Sequence, residues 1–228
     1  MTFQNPIELI LNVYKPVNLS SYDIVRKVKQ ILPGIKVGHG GTLDPFAEGV
    51  LLILIGKATK RMTELLKHRK SYEAILKLGS ASATGDNTSD ITETAAVPEI
   101  NESVLKNLES QFSGEITQVP PAFSAKKING KPAYKYARKG QKVILKPITV
   151  FISDLTLNMI DECSMRINVT CSSGTYIRVL GEDIARAIGT CGYLTSLKRT
   201  RIGEYKINDA IPVENLQSAI SNLVMTGI

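Results

Sequence analysis

Residues Gly38 to Leu51 read GHGGTLDPFAEGVL, and no other stretch restricts the fold and chemistry of this chain as tightly. Gly38, Gly40 and Gly41 admit backbone conformations closed to other residues and let a bulky ligand approach the main chain. Asp44 is followed by Pro45, whose ring pushes the preceding residue out of the α region into an extended one. Val50 to Ile55 then reads VLLILI, a short apolar run with the length and β-branched content of a buried strand. The pattern predicts a lone carboxylate at the lip of a flexible turn, anchored by a strand of the core.

With 228 residues, the chain is long enough for one large domain, or one domain with an insertion. Its 43% apolar and 21% charged content is that of an ordinary globular protein. No apolar run approaches the ~20 residues needed to span a bilayer. The opening MTFQNPIELI has no basic region ahead of its apolar residues, so no signal peptide is expected and the cytoplasm is the default location. Cys163, Cys171 and Cys191 are odd in number and lack CxxC spacing, and only His39 and His68 could join them. Reduced thiols in or near the core are expected, with neither a metal site nor a cofactor.

Charge is concentrated in one place. Between Pro120 and Val150 lie eight basic residues, Lys126, Lys127, Lys131, Lys135, Arg138, Lys139, Lys142 and Lys146, with no Asp or Glu. By contrast, Ser80 to Glu115 carries seven acidic residues against the single Lys106. A basic segment interleaved with Phe123, Tyr134 and Tyr136 has the electrostatic character of a nucleic-acid contact.

Patterning predicts a first strand over Leu9 to Tyr14, then a helix capped by Ser20 or Ser21 and ended by Pro33-Gly34. Ala58 to His68 is expected to be helical, and Tyr72 to Leu78 alternates as a strand. Ser80 to Pro98 is polar and rich in turn residues, which predicts a long surface loop. Helical spacing returns over Val104 to Phe112. Val150 to Asn158 and Ser164 to Cys171 read as paired strands, Ile177 to Ile188 as a helix stopped by Gly189, and Tyr193 to Ile207 as largely extended. A helix near Val213 to Leu223 comes last. Interleaved strands and helices imply an α+β fold, a mixed sheet with helices packed on it.

The loop GHGGTLDPFAEGVL resembles the catalytic loop of the bacterial tRNA pseudouridine synthases of the TruB type, GHTGTLDPxAxGVL, with Gly40 where the family has Thr. Further matches follow in order. Lys15-Pro16 to Ser21 is similar to the opening KPxGxTS, with Asn18 in place of Gly, and Asn tolerates positive φ. Lys70-Ser71-Tyr72 resembles the motif whose Tyr stacks on the target base. Asp86, in TGDNTSD, aligns with an Asp that helps orient the site. Cys171 to Arg178 reads CSSGTYIR, and Tyr193 to Gly203 reads YLTSLKRTRIG. These resemble the last two motifs and span a run from about Leu11 to Ile207.

The resemblance implies the pseudouridine synthase fold over residues 1–228, with a central, largely antiparallel mixed sheet and flanking helices. An RNA-clamping insertion, a mobile thumb, is implied near 120–149. Only 21 residues follow Ile207, too few for a C-terminal RNA-binding (PUA-type) domain with its own core. The implied activity is isomerisation of uridine 55 in the T loop of tRNA by a cytoplasmic monomer. The T-arm is then the partner, with no membrane, guide RNA, cofactor or metal. Asp44, Tyr72 and Arg178 become the catalytic residues. Substrate contacts are implied for Lys15, His39, Asp86, Lys126, Lys127, Tyr176, Leu197, Lys198 and Arg199.

The chemistry breaks the N1–C1′ bond, turns the base and joins C5 to C1′, with no redox change. The uridine must first leave the stack, at a cost of about a few kcal/mol. Asp44 must be ionised to attack or to assist elimination, and Arg178 is the expected counter-ion. His39 is placed to fill the space the base vacates, and Tyr72 to manage the C5 proton. Whether Asp44 attacks C1′, attacks C6 or acts as a base stays open. Two other readings compete. One is a retaining glycosidase or nucleosidase using Asp44 with Glu48, which needs carboxylates ~5 Å apart. The other is a non-catalytic tRNA-binding or folding protein in which Asp44 is structural.

Overall fold

The computed structural model describes residues 7–128, 130–141 and 143–225; Lys142 of the basic segment lies outside them. The chain forms two compact units, one made of residues 1–70 and 198–228, the other of residues 71–197.

The first unit opens with β1 (Glu8–Lys15), α1 (Ser21–Ile31), β2 (Val37–His39) and β3 (Glu48–Gly56), followed by a 3₁₀ turn and α2 (Met62–Leu66). β1 and β3 pair antiparallel in unbroken register from Glu8↔Gly56 to Lys15↔Gly49, and β2 pairs with the far half of β3. Every residue from Val50 to Ile55 is fully buried. The reason is that both faces of β3 are covered. Leu51, Ile53 and Ile55 pack with Leu11, Val13, Ile24 and Val28, while Val50, Leu52 and Leu54 pack with Ala58, Leu65 and Ile202. A strand covered on both sides needs no polar alternation, so it reads as a continuous apolar run. Each such side chain contributes about 1.5–3 kcal/mol of burial.

Helix α1 starts where its chemistry predicts. Ser20 accepts the Asp23 N–H and the Asp23 carboxylate accepts the Ser20 N–H, a reciprocal capping box.

The second unit begins within β4 (Lys70–Leu78) and continues through β5 (Ser80–Ser82), β6 (Ile91–Thr94), α3 (Glu102–Gln111) and β7 (Gly114–Gln118). The basic segment follows as a two-stranded ribbon, β8 (Lys127–Ile128) with β9 (Lys131–Pro132), and the short helix α4 (Ala133–Ala137). Then come the hairpin β10 (Ile148–Asp161) and β11 (Ser164–Cys171), the helix α5 (Ile177–Ala187) and β12 (Gly192–Ile202). Strand order in this unit is β12-β4-β11-β10-β7. Its core is built from Leu76, Leu155, Leu157, Ile167, Leu180, Ile184 and Leu194. Gly181 lets α5 lie close, since a Cβ there would stand 3.0 Å from Leu194 Cδ2.

The last part of β12 returns to the first unit and pairs parallel with β3, Lys198↔Glu48 and Arg199↔Gly49. β13 (Tyr205–Lys206), β14 (Ile211–Pro212) and α6 (Leu216–Met225) follow, with β14 parallel to β1. The mixed sheet with flanking helices is the expected α+β class. One expectation is corrected: Ser80 to Pro98 is not only loop, because Ser80–Ser82 and Ile91–Thr94 form an antiparallel ribbon. Both strands are short and β6 is exposed along its whole length, so no apolar alternation announced them.

Candidate active site

Asp44 is half-buried in the loop between β2 and β3, and the residues on either side of it are fixed. The Leu43 N–H donates to Ser21 Oγ at 2.8 Å, and the Ser21 hydroxyl donates back to the Leu43 carbonyl at 3.1 Å. Beyond Asp44, the Pro45 carbonyl accepts the Asn18 N–H at 2.7 Å. Asn18 sits at φ 65°, the one non-glycine with positive φ among the described residues. Asparagine therefore keeps the turn that the family's glycine would make. The Ala47 N–H closes onto the Asp44 carbonyl at 3.1 Å.

Two inward-facing cations brace this loop. Arg199 is 1% exposed, and its Nε donates to the Val50 carbonyl at 2.7 Å. Its Nη1 and Nη2 reach the Thr42 and Gly41 carbonyls at 3.1 and 3.2 Å. Lys15 is 0% exposed, and its ammonium donates to the carbonyls of Ala47, Leu19 and Pro16 at 2.5, 2.7 and 2.8 Å. Both residues, expected as substrate contacts, are buried, and their donors bind main-chain carbonyls. Gly49 makes the arrangement possible, because a Cβ there would lie 2.2 Å from the Arg199 carbonyl.

Burial, then the Arg199 charge, pushes the Lys15 ammonium down to about 8, against the opposing pull of Asp44, Glu48 and Asp23. The unfolded chain holds this proton to about 10.4. Between those values it binds more protons than the folded chain, so Lys15's contribution to stability rises with pH across that window. Lys15→Met removes this rise and leaves three carbonyls without their donor. It should lower the unfolding free energy at neutral pH by about 1–3 kcal/mol, measured by urea denaturation across pH 7–10.

Glu48 is engaged from both sides. Tyr14 Oη donates to its Oε2 at 2.5 Å and Lys198 Nζ stands 2.9 Å from Oε1. Burial alone would raise the Glu48 carboxyl, but these two partners hold it below the usual range. A carboxylate held ionised is a poor general acid at neutral pH. Lys198, expected at a phosphate, has Glu48 as its partner. His39 is half-buried, and burial followed by the Arg199 charge lowers its pKa, against the pull of a Gly41 backbone hydrogen bond. Gly40, in the place of the family's Thr, packs closely: a Cβ there would stand 3.3 Å from Leu52 Cβ.

In the second unit, the CSSGTYIR run leaves β11, crosses Gly174 at φ 85° and enters α5. It delivers Arg178 at 5% exposure, with Nη1 on the Thr84 carbonyl at 2.5 Å and Nη2 on the Phe123 carbonyl at 2.9 Å. Asp86 Oδ2 lies 3.6 Å from Nη1. The Asp86 carboxylate is itself fixed, its Oδ1 accepting from Thr84 Oγ1, the Thr88 N–H and Thr88 Oγ1. Asp86, expected as a substrate contact, is 4% exposed and lies beside Arg178. Tyr176 is half-buried at the start of α5, and Tyr72 on β4 and Leu197 on β12 are buried.

Sequence reading assigned no site role to Gln118, Thr84, Phe123 or Ser21. All four act through main-chain atoms or on them, and no side-chain pattern marks such contacts. Lys126, Lys127, Lys131, Lys135, Arg138, Lys139 and Lys146 are all exposed. Ala133, fully buried, anchors their segment through its N–H to the Lys126 carbonyl at 2.8 Å. Arg138 lies over the Tyr134 ring at 5.4 Å. Among the described residues no helix is long and apolar enough to cross a membrane.

The model of the TruB family pseudouridylate synthase (N terminal domain) matches residues 28–177. The chain is 42% identical over 214 residues to a protein of Psychrobacter arcticus named tRNA pseudouridine synthase B, covering 92% of this chain and 56% of that one. The Burkholderia lata protein of that name is also 42% identical and is spanned to 65% of its length. The chain thus covers less than two thirds of these two relatives. A Bordetella avium protein of the same name, 40% identical over 215 residues, is covered to 88%. Among solved structures, a chain of a Cbf5-Nop10-Gar1 complex superposes with a TM-score of 0.72 at 28% identity, over 96% of this chain and 56% of that one.

Proposed function

The chain belongs to the TruB family of pseudouridylate synthases, and we propose that it isomerises uridine 55 in the T loop of tRNA to pseudouridine. The observation that carries this reading is the Asp44 loop, whose flanking residues are locked from both sides by Ser21, Asn18, Lys15 and Arg199. A carboxylate so placed is pre-organised for attack and costs little reorganisation when the base arrives. In this account Asp44 supplies the negative charge, at C1′, at C6 or as a base. The N1–C1′ bond breaks, the detached uracil turns, C5 bonds to C1′, and the C5 proton leaves, with Tyr72 as its acceptor. A phenol is a weak base at neutral pH, so Tyr72 acts on a proton already acidified by the C5–C1′ bond. In this reading His39 fills the space the base vacates, Leu197 and Tyr176 contact the substrate, and Arg178 provides the cation. The protein acts as a cytoplasmic monomer without guide RNA or cofactor. Incubation with a T-arm stem-loop followed by nucleoside analysis tests this; an unmodified hairpin overturns it.

Residues 120–149 act as the RNA clamp in this reading. Their exposed cations meet no acidic neighbour within the segment, and phosphates supply the counter-charge. Neutralising Lys126, Lys127, Lys131 and Arg138 together should weaken T-arm binding. The salt dependence should flatten by roughly 0.7–0.9 log units per lost phosphate contact. The melting temperature should barely move, because exposed charges add little to folding. An unchanged salt slope with a collapsed melting temperature would make the segment a structural element only.

A further inference from the structure

Gln118 ends β7 and is 1% exposed. Its side chain makes a two-point clamp on one residue. Oε1 accepts the Tyr176 N–H at 3.0 Å, and Nε2 donates to the Tyr176 carbonyl at 3.2 Å. A primary amide offers a donor and an acceptor in one plane, which is the pairing a neighbouring strand would present. Tyr176 needs such a partner. It is the residue before the first turn of α5, in extended conformation at φ −101° and ψ 105°, and no side-chain cap is provided by its own segment. Its carbonyl also accepts the Leu180 N–H at 3.0 Å, the first bond of the helix. The clamp therefore sets where α5 begins, two residues ahead of Arg178.

The same stretch of chain meets Arg178 a second time. Val119, Pro120, Pro121 and Ala122 lead from Gln118 to Phe123, whose carbonyl accepts Arg178 Nη2 at 2.9 Å. Two consecutive prolines fix their own φ angles and restrict the residues before them. The span from Gln118 to Phe123 is thus a stiff strut. One end holds the backbone of Tyr176 and the other holds the guanidinium of Arg178. Lys126 and Lys127, the first cations of the basic segment, follow within four residues of Phe123.

Resting on the function proposed above, we propose that Gln118 is a positioning residue for Arg178, anchoring a strut that ties the root of the basic segment to the catalytic arginine. It touches no reacting atom. It works by holding the Tyr176 peptide, and through it the first turn of α5, so that the guanidinium keeps its place when RNA engages the lysines. A displacement of about 1 Å at such a group can cost on the order of 100-fold in rate.

The test separates positioning from folding and from RNA affinity. Gln118→Met is nearly isosteric, removes the Gln118 bond to the Tyr176 N–H and leaves the Tyr176 carbonyl with the Leu180 N–H. Gln118→Glu keeps the acceptor and loses the donor, and serves where the methionine variant folds poorly. Single-turnover pseudouridine formation on saturating T-arm stem-loop is measured well below each melting temperature. The rate constant should fall roughly 10–100-fold while the RNA Kd stays within about threefold, the reverse of the lysine neutralisations. A normal rate constant in a folded variant, whatever its Kd, overturns the proposal. Should the wild-type protein leave the hairpin unmodified, the functional reading fails by itself. The clamp is then read from the Arg178 Nε–H resonance, assigned by its loss in Arg178→Lys. Broadening or shift of that signal in Gln118→Glu supports the strut, and an unaltered signal overturns it.

Discussion

Asp44→Asn is expected to bind T-arm RNA within a few-fold of wild type and to form pseudouridine at least roughly 1,000-fold more slowly. The substitution is nearly isosteric and removes only the ionised oxygen. The bonds that shape the loop run from Ser21 to Leu43, from Asn18 to Pro45, and from Arg199 to Gly41 and Thr42. None of these uses the Asp44 carboxylate, so the fold of the loop should survive the change. Stability should therefore move little, and the loss should lie in the rate constant. An asparagine variant that turned over normally would make Asp44 a structural residue and leave an RNA-binding protein as the remaining account.

Arg178→Lys should be almost as damaging, for a different reason. The guanidinium reaches the Thr84 carbonyl, the Phe123 carbonyl and the Asp86 carboxylate in three directions within a buried site. A single ammonium cannot reproduce that planar fork, and at least one partner is left without a donor. The charge is kept, so the loss is that of a buried hydrogen-bond partner, about 1–3 kcal/mol. Turnover should fall by roughly 100-fold or more, and the unfolding free energy should drop as well. Assays below the melting temperature separate the two losses. Normal turnover at a lower melting temperature would reduce Arg178 to a structural cation.

The two substitutions also show what could be read from sequence. Local chemistry was legible: the Ser20 cap, the positive φ of Asn18 and the buried run VLLILI each follow from residues within a few positions of one another. What remained hidden was set by partners far along the chain. Lys15 and Arg199 look like surface cations beside an RNA site, yet Arg199 donates to a carbonyl 149 residues away. The parallel pairing of β12 with β3, which puts it there, leaves no local trace. Gln118 is illegible for the same reason, since it acts on the main chain of Tyr176, 58 residues on. The family resemblance named Asp44, Tyr72 and Arg178, but it could not say that Asp86 lies beside the arginine or that Glu48 is paired with Lys198 and Tyr14.

The central claim is that this chain detaches a uracil and rejoins it through C5, and that step releases the C5 hydrogen. A T-arm stem-loop labelled with tritium at C5 of the T-loop uridine reports it directly. The account predicts tritium released to water in step with pseudouridine formed, one for one, by the wild-type protein, and none above background by Asp44→Asn. An RNA that binds tightly yet keeps its tritium through prolonged incubation would contradict it.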